Sequence, residues 1–250
     1  MMRKTICAAA LAVLLPVGAM AAPLRICTVD WPPYTVSDAG QVGGMHTDMV
    51  SALFRHLGHT PQIDQIAWER CLKEVETGGY DAAYSASHKA DRAAYALYPT
   101  APLQTVSYVM VVAKGTGGDW DAKRDVSKLQ QPVAAPRGFS ITADLQKIAG
   151  VTVDDGATTD QQNMQKLSTG RVKTVVIEAS VAKSLIERLH LAGKVEVLSP
   201  EFVSGKDYFV IVSKRHGGSL AAAQALTDAV SAELGDMRAS GELDRIALKY

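Results

Sequence analysis

The sequence predicts an α/β fold built as two similar lobes, and three observations carry that prediction. Short apolar runs alternate with amphipathic stretches from residue 24 onward, the order expected of strands and helices around open, largely parallel sheets. A loose echo relates Val75-Glu76-Thr77-Gly78-Gly79-Tyr80-Asp81-Ala82-Ala83 to Leu167-Ser168-Thr169-Gly170-Arg171-Val172-Lys173-Thr174-Val175. Each passes from a helix end through glycine into a strand, then into polar groups. Two longer apolar runs containing Val, Ile and Tyr, residues 106–114 and 208–214, fall near the boundaries such lobes would need.

Taken in order, residues 24–29 read as the first strand, followed by the turn Asp30-Trp31-Pro32-Pro33-Tyr34. Two prolines without N–H groups stop a central strand there. Residues 47–57 predict a helix: Met49, Leu53, Phe54 and Leu57 recur at helical spacing, Thr47 is placed to cap it and Gly58 to end it. A strand at 62–66, a helix at 68–77 stopped by Gly78-Gly79, and a strand at 80–84 follow. Further on, a strand is expected at 132–136, and Gly138-Phe139-Ser140-Ile141-Thr142 leads into a helix. A helix at 159–168 and a strand at 173–177 with Glu178 at its end complete the second unit. Gly115-Thr116-Gly117-Gly118 reads as a loop on that unit. The chain is expected to cross between lobes near 103–107 and 204–207, and helices at 219–234 and 242–250 then return to pack on the first lobe. The expected division is a signal peptide at 1–21, lobe 1 at 22–105 with 207–250, and lobe 2 at 106–206.

The N-terminal segment has the three parts of a secretory signal: Arg3 and Lys4, an apolar run over 6–17, and Ala19-Met20-Ala21 as the cleavage site. The run is too short to span a bilayer, and no later segment approaches the ~20 apolar residues a transmembrane helix needs. Cys7 lies at the start of the apolar run and not after it, so a lipid-modified N-terminal cysteine is not expected. Cleavage leaves 24 basic against 26 acidic side chains, which argues against nucleic acid as a partner and gives no reason to expect an anionic membrane surface. About 229 residues remain, enough for one large domain or two small ones. The remaining pair, Cys27 and Cys71, reads as a disulfide in an oxidising compartment, two buried thiols being the alternative. No metal site is expected: His56 and His59 flank Gly58 with no cysteine nearby, and His46, His88, His190 and His216 are scattered, each structural or solvated.

The stretch carrying most chemistry is Ser85-Ala86-Ser87-His88-Lys89-Ala90-Asp91-Arg92. It is expected to follow its strand, with Arg92 in the first turn of a helix. Hydroxyls, free N–H groups and a guanidinium would then converge at a strand's carboxyl end, where open α/β sheets bind ligands. That set receives a carboxylate, the planar fork taking two oxygens with donors on either side. The plain alternative is a solvated arginine.

The motifs in sequence order are Trp31-Pro32-Pro33-Tyr34, Gly44 with Asp48, Trp68-Glu69-Arg70-Cys71, Gly79-Tyr80-Asp81-Ala82, the Ser87 to Arg92 spacing, Gly138 with Ser140, and Gly170 leading to Glu178. In that order and spacing the chain resembles the periplasmic solute-binding proteins of the polar amino-acid type, family 3 of the bacterial extracellular solute-binding proteins and partners of ABC importers. The resemblance implies the two-lobed type II periplasmic-binding-protein fold, with two crossings and a ligand cleft between lobes that close on a hinge. It implies that Arg92 pairs with a ligand carboxylate, with Ser85 and Ser87 beside it. Trp31 becomes an aromatic wall, and the N–H groups of Gly138, Phe139 and Ser140 face the carboxylate. Glu178 pairs with a ligand ammonium, so a zwitterion is neutralised at both ends.

Glu178 stands for the family's commoner aspartate, Phe139 for a hydroxyl residue, His88-Lys89 for an apolar–threonine pair, and Tyr84 for a smaller residue. These departures imply a pocket that is smaller, more aromatic, or shaped for a ligand other than a standard amino acid. Asp48 and Arg70 read as structural; the plain alternatives are core for Trp31 and Trp68, packing between the lobes for Tyr84, and a solvated helix cap for Glu178. The implied function is capture of a small amino acid or related carboxylate by a monomeric periplasmic receptor, without a cofactor, for delivery to an ABC permease. Two other functions use the same scaffold: a cyclohexadienyl dehydratase-like enzyme with Glu178 as general acid, and a ligand sensor for a membrane kinase.

Overall fold

The computed structural model describes residues 23–120 and 124–250. The expected signal segment and Cys7 lie outside the described residues. Among the described residues no helix is long and apolar enough to cross a membrane.

In the first half, strand Leu24–Thr28 lies between Pro61–Gln65 and Ala82–Ser87, parallel to both. Side-chain alternation sends Ile26, Ala82, Tyr84, Val210 and Val212 into one apolar cluster, with Val50 and Phe54 of helix Met45–His56 and Val230 and Leu234 of helix Leu220–Ala239. Cys27, Ala83 and Ile211 enter the other cluster, against Trp68, Cys71 and Val75 of helix Trp68–Thr77. Both faces of the central strand Ala82–Ser87 are therefore buried, whereas the edge strand Pro61–Gln65 alternates half-buried and exposed residues. In the second half Thr174–Glu178 pairs antiparallel with Gln104–Ala113 and parallel with Val133–Ala134. Helices Asp160–Ser168 and Ala179–Arg188 bury Met164, Leu167, Val181 and Leu185 against it.

Two long strands join the halves. Gln104–Ala113 and Val203–Ser213 pair antiparallel through Gln104 with Tyr208, Thr105 with Asp207, and Val106 with Lys206. Val203–Ser213 also pairs with Ala82–Ser87, Tyr208 opposite Ser87 and Phe209 opposite Ala86. One ten-stranded mixed sheet thus runs through a two-lobed α/β fold. The two connecting segments satisfy each other's backbone groups, so both strands start earlier than their apolar runs at 106–114 and 208–214 predict.

One strand departs from its expected position in a way that matters. It spans Ala82–Ser87 instead of 80–84, so the serines lie on the strand and not after it. Asp81 precedes it with its carboxylate engaged, accepting from the Arg25 N–H at 2.9 Å and bonding His216. The strand also carries a bulge. Ala83 faces Ile211 and Ala86 faces Phe209, leaving Tyr84 and Ser85 opposite Val210 alone. Ser85 takes up the extra residue with φ of 61°, a left-handed conformation costing a non-glycine residue roughly 1–2 kcal/mol. Arg92 follows in a four-residue helix, Ala90–Ala93.

Cys27 and Cys71 form a disulfide joining the first strand to the helix packed on it, with Cα atoms 5.7 Å apart. Closing a loop of this length contributes on the order of 2–4 kcal/mol. Thiol titration of the mature protein, denatured without reductant, is expected to find no free thiol. Two free thiols would refute the bond.

Candidate binding site

The bulged strand, the turn after the first strand, the starts of three helices and one joining strand converge on a small cavity, with about 10 Å³ open to a water-sized sphere. Its walls are Val29 and Trp31 from the first turn, Trp68, Ser85, Ser87 and Arg92, then Phe139, Ser140 and Tyr208. The bulge explains the strand's contribution. Tyr84 points into the core and Ser85 lines the cavity; Ala86 returns to the core and Ser87 lines the cavity again.

Arg92 is 2% exposed. It donates to the Ser87 carbonyl at 2.9 Å, to the Ser87 hydroxyl at 3.2 Å, and to the Gly138 carbonyl at 3.1 Å. Its guanidinium lies over the Trp68 ring, 5.4 Å from the centroid, so the cation is held by fixed dipoles and a π face. Ser87 donates to the Ser140 hydroxyl at 2.7 Å. Gly138 makes this approach possible: its φ is 79°, and a Cβ there would sit 3.0 Å from Glu69. Trp31 is buried between Tyr34 and Tyr208, with centroids at 4.7 and 4.8 Å, and its indole N–H donates to Asp160 at 3.1 Å.

The structure therefore brings together six of the sequence-predicted site residues, Trp31, Ser85, Ser87, Arg92, Phe139 and Ser140, around one space. Gly138 contributes its carbonyl to Arg92. Tyr84 instead lies on the far face of the strand, its hydroxyl 2.7 Å from Thr47. Glu178 is buried but turned toward its own helix, accepting from the Val181 N–H at 2.8 Å, and the Tyr34 hydroxyl hydrogen-bonds to it. Four residues that shape the site were not singled out as ligand residues: Trp68, Tyr208, His46 and Asp160. Asp160 opens the helix at 160–168, and that position reads equally well as an ordinary first-turn acid. His46 occupies a helix face whose partners, Ser85 and Gln104, come from distant strands.

Residues 24–250 match the model of the bacterial extracellular solute-binding proteins, family 3, and the chain belongs to that family. No match was found among the curated proteins. Among solved structures the chain is similar to an ancestral arginine-binding protein bound to arginine, with 23% identity, TM-score 0.77, and 92% of this chain and 99% of that one covered. It is also similar to a histidine kinase sensor domain resembling periplasmic binding proteins, at 17% identity, TM-score 0.76, and 92% and 96% coverage. A third similar structure concerns glutathione import in Streptococcus mutans through GshT and the cystine importer TcyBC, at 18% identity, TM-score 0.76, and 91% and 94% coverage.

Arg92 is the charged side chain on the cavity wall, and the acids Asp160 and Glu178 are buried outside it. Burial pushes the Asp160 carboxyl up to about 7, helped by the charge of Glu178 and opposed by the Trp31 N–H. Burial also raises Glu178, against the N–H groups at the start of its helix. The Tyr208 hydroxyl, raised mainly by its own burial, feels Asp160 and Glu178 from one side and Arg92 from the other. These signs fix a stability trend. Between 3.8 and about 7 the unfolded chain has released a proton that folded Asp160 still holds. Stability therefore falls as pH rises through that window, by up to about 1.4 kcal/mol per pH unit. Asp160→Asn is expected to flatten the melting midpoint between pH 4 and 7 in chemical or thermal denaturation. An unchanged slope would mean that Asp160 does not hold its proton in the fold.

Proposed function

We propose that this protein is an exported, monomeric periplasmic receptor that captures a small amino acid or related carboxylate and delivers it to an ABC importer. On this reading residues 22–105 with 207–250 form lobe 1, and 106–206 form lobe 2. The lobes hinge about the paired segments near Thr105 and Asp207. The observation that carries the reading is the cavity where Arg92, on one side of that hinge, faces Phe139 and Ser140 on the other, with buried Asp160 held by the Trp31 indole N–H. A solute carboxylate reaching Arg92 would take over donors now spent on Ser87 and Gly138, and a solute ammonium would draw on Asp160 or Glu178 once one of them turned to the cavity, which neither lines here. Burying either charge unpaired is costly, so a zwitterion neutralised at both ends stabilises the closed arrangement. In this arrangement the cavity leaves only about 10 Å³ open to a water-sized sphere, roughly the room one water needs, so on this reading a solute enters as the lobes part. The membership of the chain in an extracellular solute-binding family, together with the secretory pattern of residues 1–21, supports export to the periplasm.

A dehydratase-like reading has one observation in its favour, the raised pKa of Glu178, which suits a general acid. Against it, that carboxylate is occupied by its own helix N–H groups and does not line the cavity.

A thermal-shift screen of the mature protein against amino acids, small carboxylates and prephenate tests the proposal. A ligand at a hundred times its dissociation constant adds about 2.7 kcal/mol, a midpoint rise of roughly 5–10 °C for a chain of this size. The expected result is a shift with an amino acid or carboxylate that is recovered unchanged. Prephenate consumed during the assay would instead make this an enzyme. Arg92→Ala is expected to weaken binding of that ligand by about a hundredfold or more, with the far-ultraviolet circular dichroism intact. Unchanged affinity in a folded variant would remove Arg92 from the site.

A further inference from the structure

We propose that His46 fixes the direction of the Ser85 hydroxyl proton, so that Ser85 meets the solute only as a hydrogen-bond acceptor and selects for an N–H-bearing group, an ammonium above all. The inference rests on the ligand-binding reading for its consequence, but not for its chemistry. His46 is fully buried in the helix that starts at Met45. Gly44 brings that helix start close against the Trp31–Tyr34 turn: its φ is 106°, and a Cβ would lie 2.6 Å from the Tyr34 carbonyl. The His46 N–H donates to that same carbonyl at 2.9 Å. The imidazole stacks on Tyr34 at 4.3 Å and meets the edge of Trp31 at 6.0 Å, which fixes the plane of the ring.

Both ring nitrogens are engaged. Nε2 lies 2.7 Å from the Gln104 Oε1, and Nδ1 lies 2.9 Å from the Ser85 Oγ. With the Gln104 amide oxygen facing the ring, an orientation assigned from the hydrogen-bond network, Nε2 carries the hydrogen, because a carbonyl oxygen only accepts. A neutral imidazole has one N–H, which leaves Nδ1 as an acceptor that only the Ser85 O–H can satisfy. Burial supports the neutral form, holding His46 down at about 4. With its single hydrogen committed, Ser85 has lone pairs alone to offer the cavity it lines. A serine beside a histidine can also suggest a nucleophile and its base, but an imidazole held this far down is a poor proton acceptor at neutral pH. The bulge makes the arrangement possible by turning Ser85 through a left-handed conformation toward His46. A strained non-glycine residue at a binding cleft is where such a device is expected. Gln104, which orients the ring, also pairs with Tyr208 where the two halves join.

The test has two arms. Long-range ¹H–¹⁵N correlation spectra of the mature protein, with His46 assigned by signal loss in His46→Asn, are expected to show a neutral ring protonated on Nε2. A ring protonated on Nδ1 would make Ser85 a donor and overturn the proposal, whatever the ligand proves to be. The second arm measures the standard L-amino acids against their 2-hydroxy acid analogues by calorimetry. Ser85→Ala is expected to cost the preferred amino acid about tenfold or more in affinity and its hydroxy acid less, narrowing the preference between them. His46→Asn, whose Oδ1 can replace Nδ1 as acceptor, is expected to keep the preference, and His46→Leu to lose it. Equal losses for both ligands in Ser85→Ala, or an unchanged preference in His46→Leu, would count against His46 setting the polarity. Silence across the panel would defeat the amino-acid reading, while the tautomer still decides the direction of the Ser85 proton.

Discussion

The antiparallel pairing of Gln104–Ala113 with Val203–Ser213 is the constraint on which the rest of this structure depends. It is the only place where one strand, Val203–Ser213, serves both the first-half sheet and the long strand of the second half among the described residues. Tyr208 stands at that point, paired to Ser87 in one register and to Gln104 in the other. Its side chain lines the cavity and stacks near Trp31, and its hydroxyl bonds that of Tyr108. Ser87 is positioned by that backbone ladder, and the Arg92 guanidinium is held against it and against Gly138 by its own hydrogen bonds.

The second constraint is charge. A fold that buries Arg92, Asp160 and Glu178 must keep each one satisfied, because a buried polar or charged group without a partner is costly. The protein uses dipoles for this: backbone carbonyls and a tryptophan face for Arg92, helix N–H groups and the Tyr34 hydroxyl for Glu178, the indole N–H for Asp160. Dipoles can be given up to a ligand more readily than a direct salt bridge could be. A site held this way is satisfied when folded and still able to exchange those bonds for a charged solute.

Local patterns carried much of the fold. Helix Trp68–Thr77 lies where its apolar spacing and the Gly78-Gly79 stop put it, and helix Asp160–Ser168 begins behind Thr159, whose hydroxyl accepts from the Gln162 N–H. The strand Ala82–Ser87 was displaced from its expected span because its bulge is defined by the opposing Val210, and a bulge leaves no short-range mark. Tyr84 shows the consequence for the site. Simple alternation cannot tell which of Tyr84 and Ser85 enters the cleft once one residue of the ladder is left over.

By itself the sequence determined the α/β class, the two-part organisation, the family, and the residues Trp31, Ser85, Ser87, Arg92, Phe139 and Ser140 of the cavity wall. Each is written in local chemistry: periodicity, glycine stops, and short motifs whose spacing is fixed by one turn or one strand end. Only the tertiary structure decided that Asp160 lies against Trp31, that Glu178 turns to its own helix, and that His46 reaches Ser85 and Gln104. Those contacts join residues 129, 39 and 58 positions apart, or depend on which way a carboxylate turns at a helix start. Such relations arise from packing of whole elements, where burial, not local spacing, sets which polar groups must find each other.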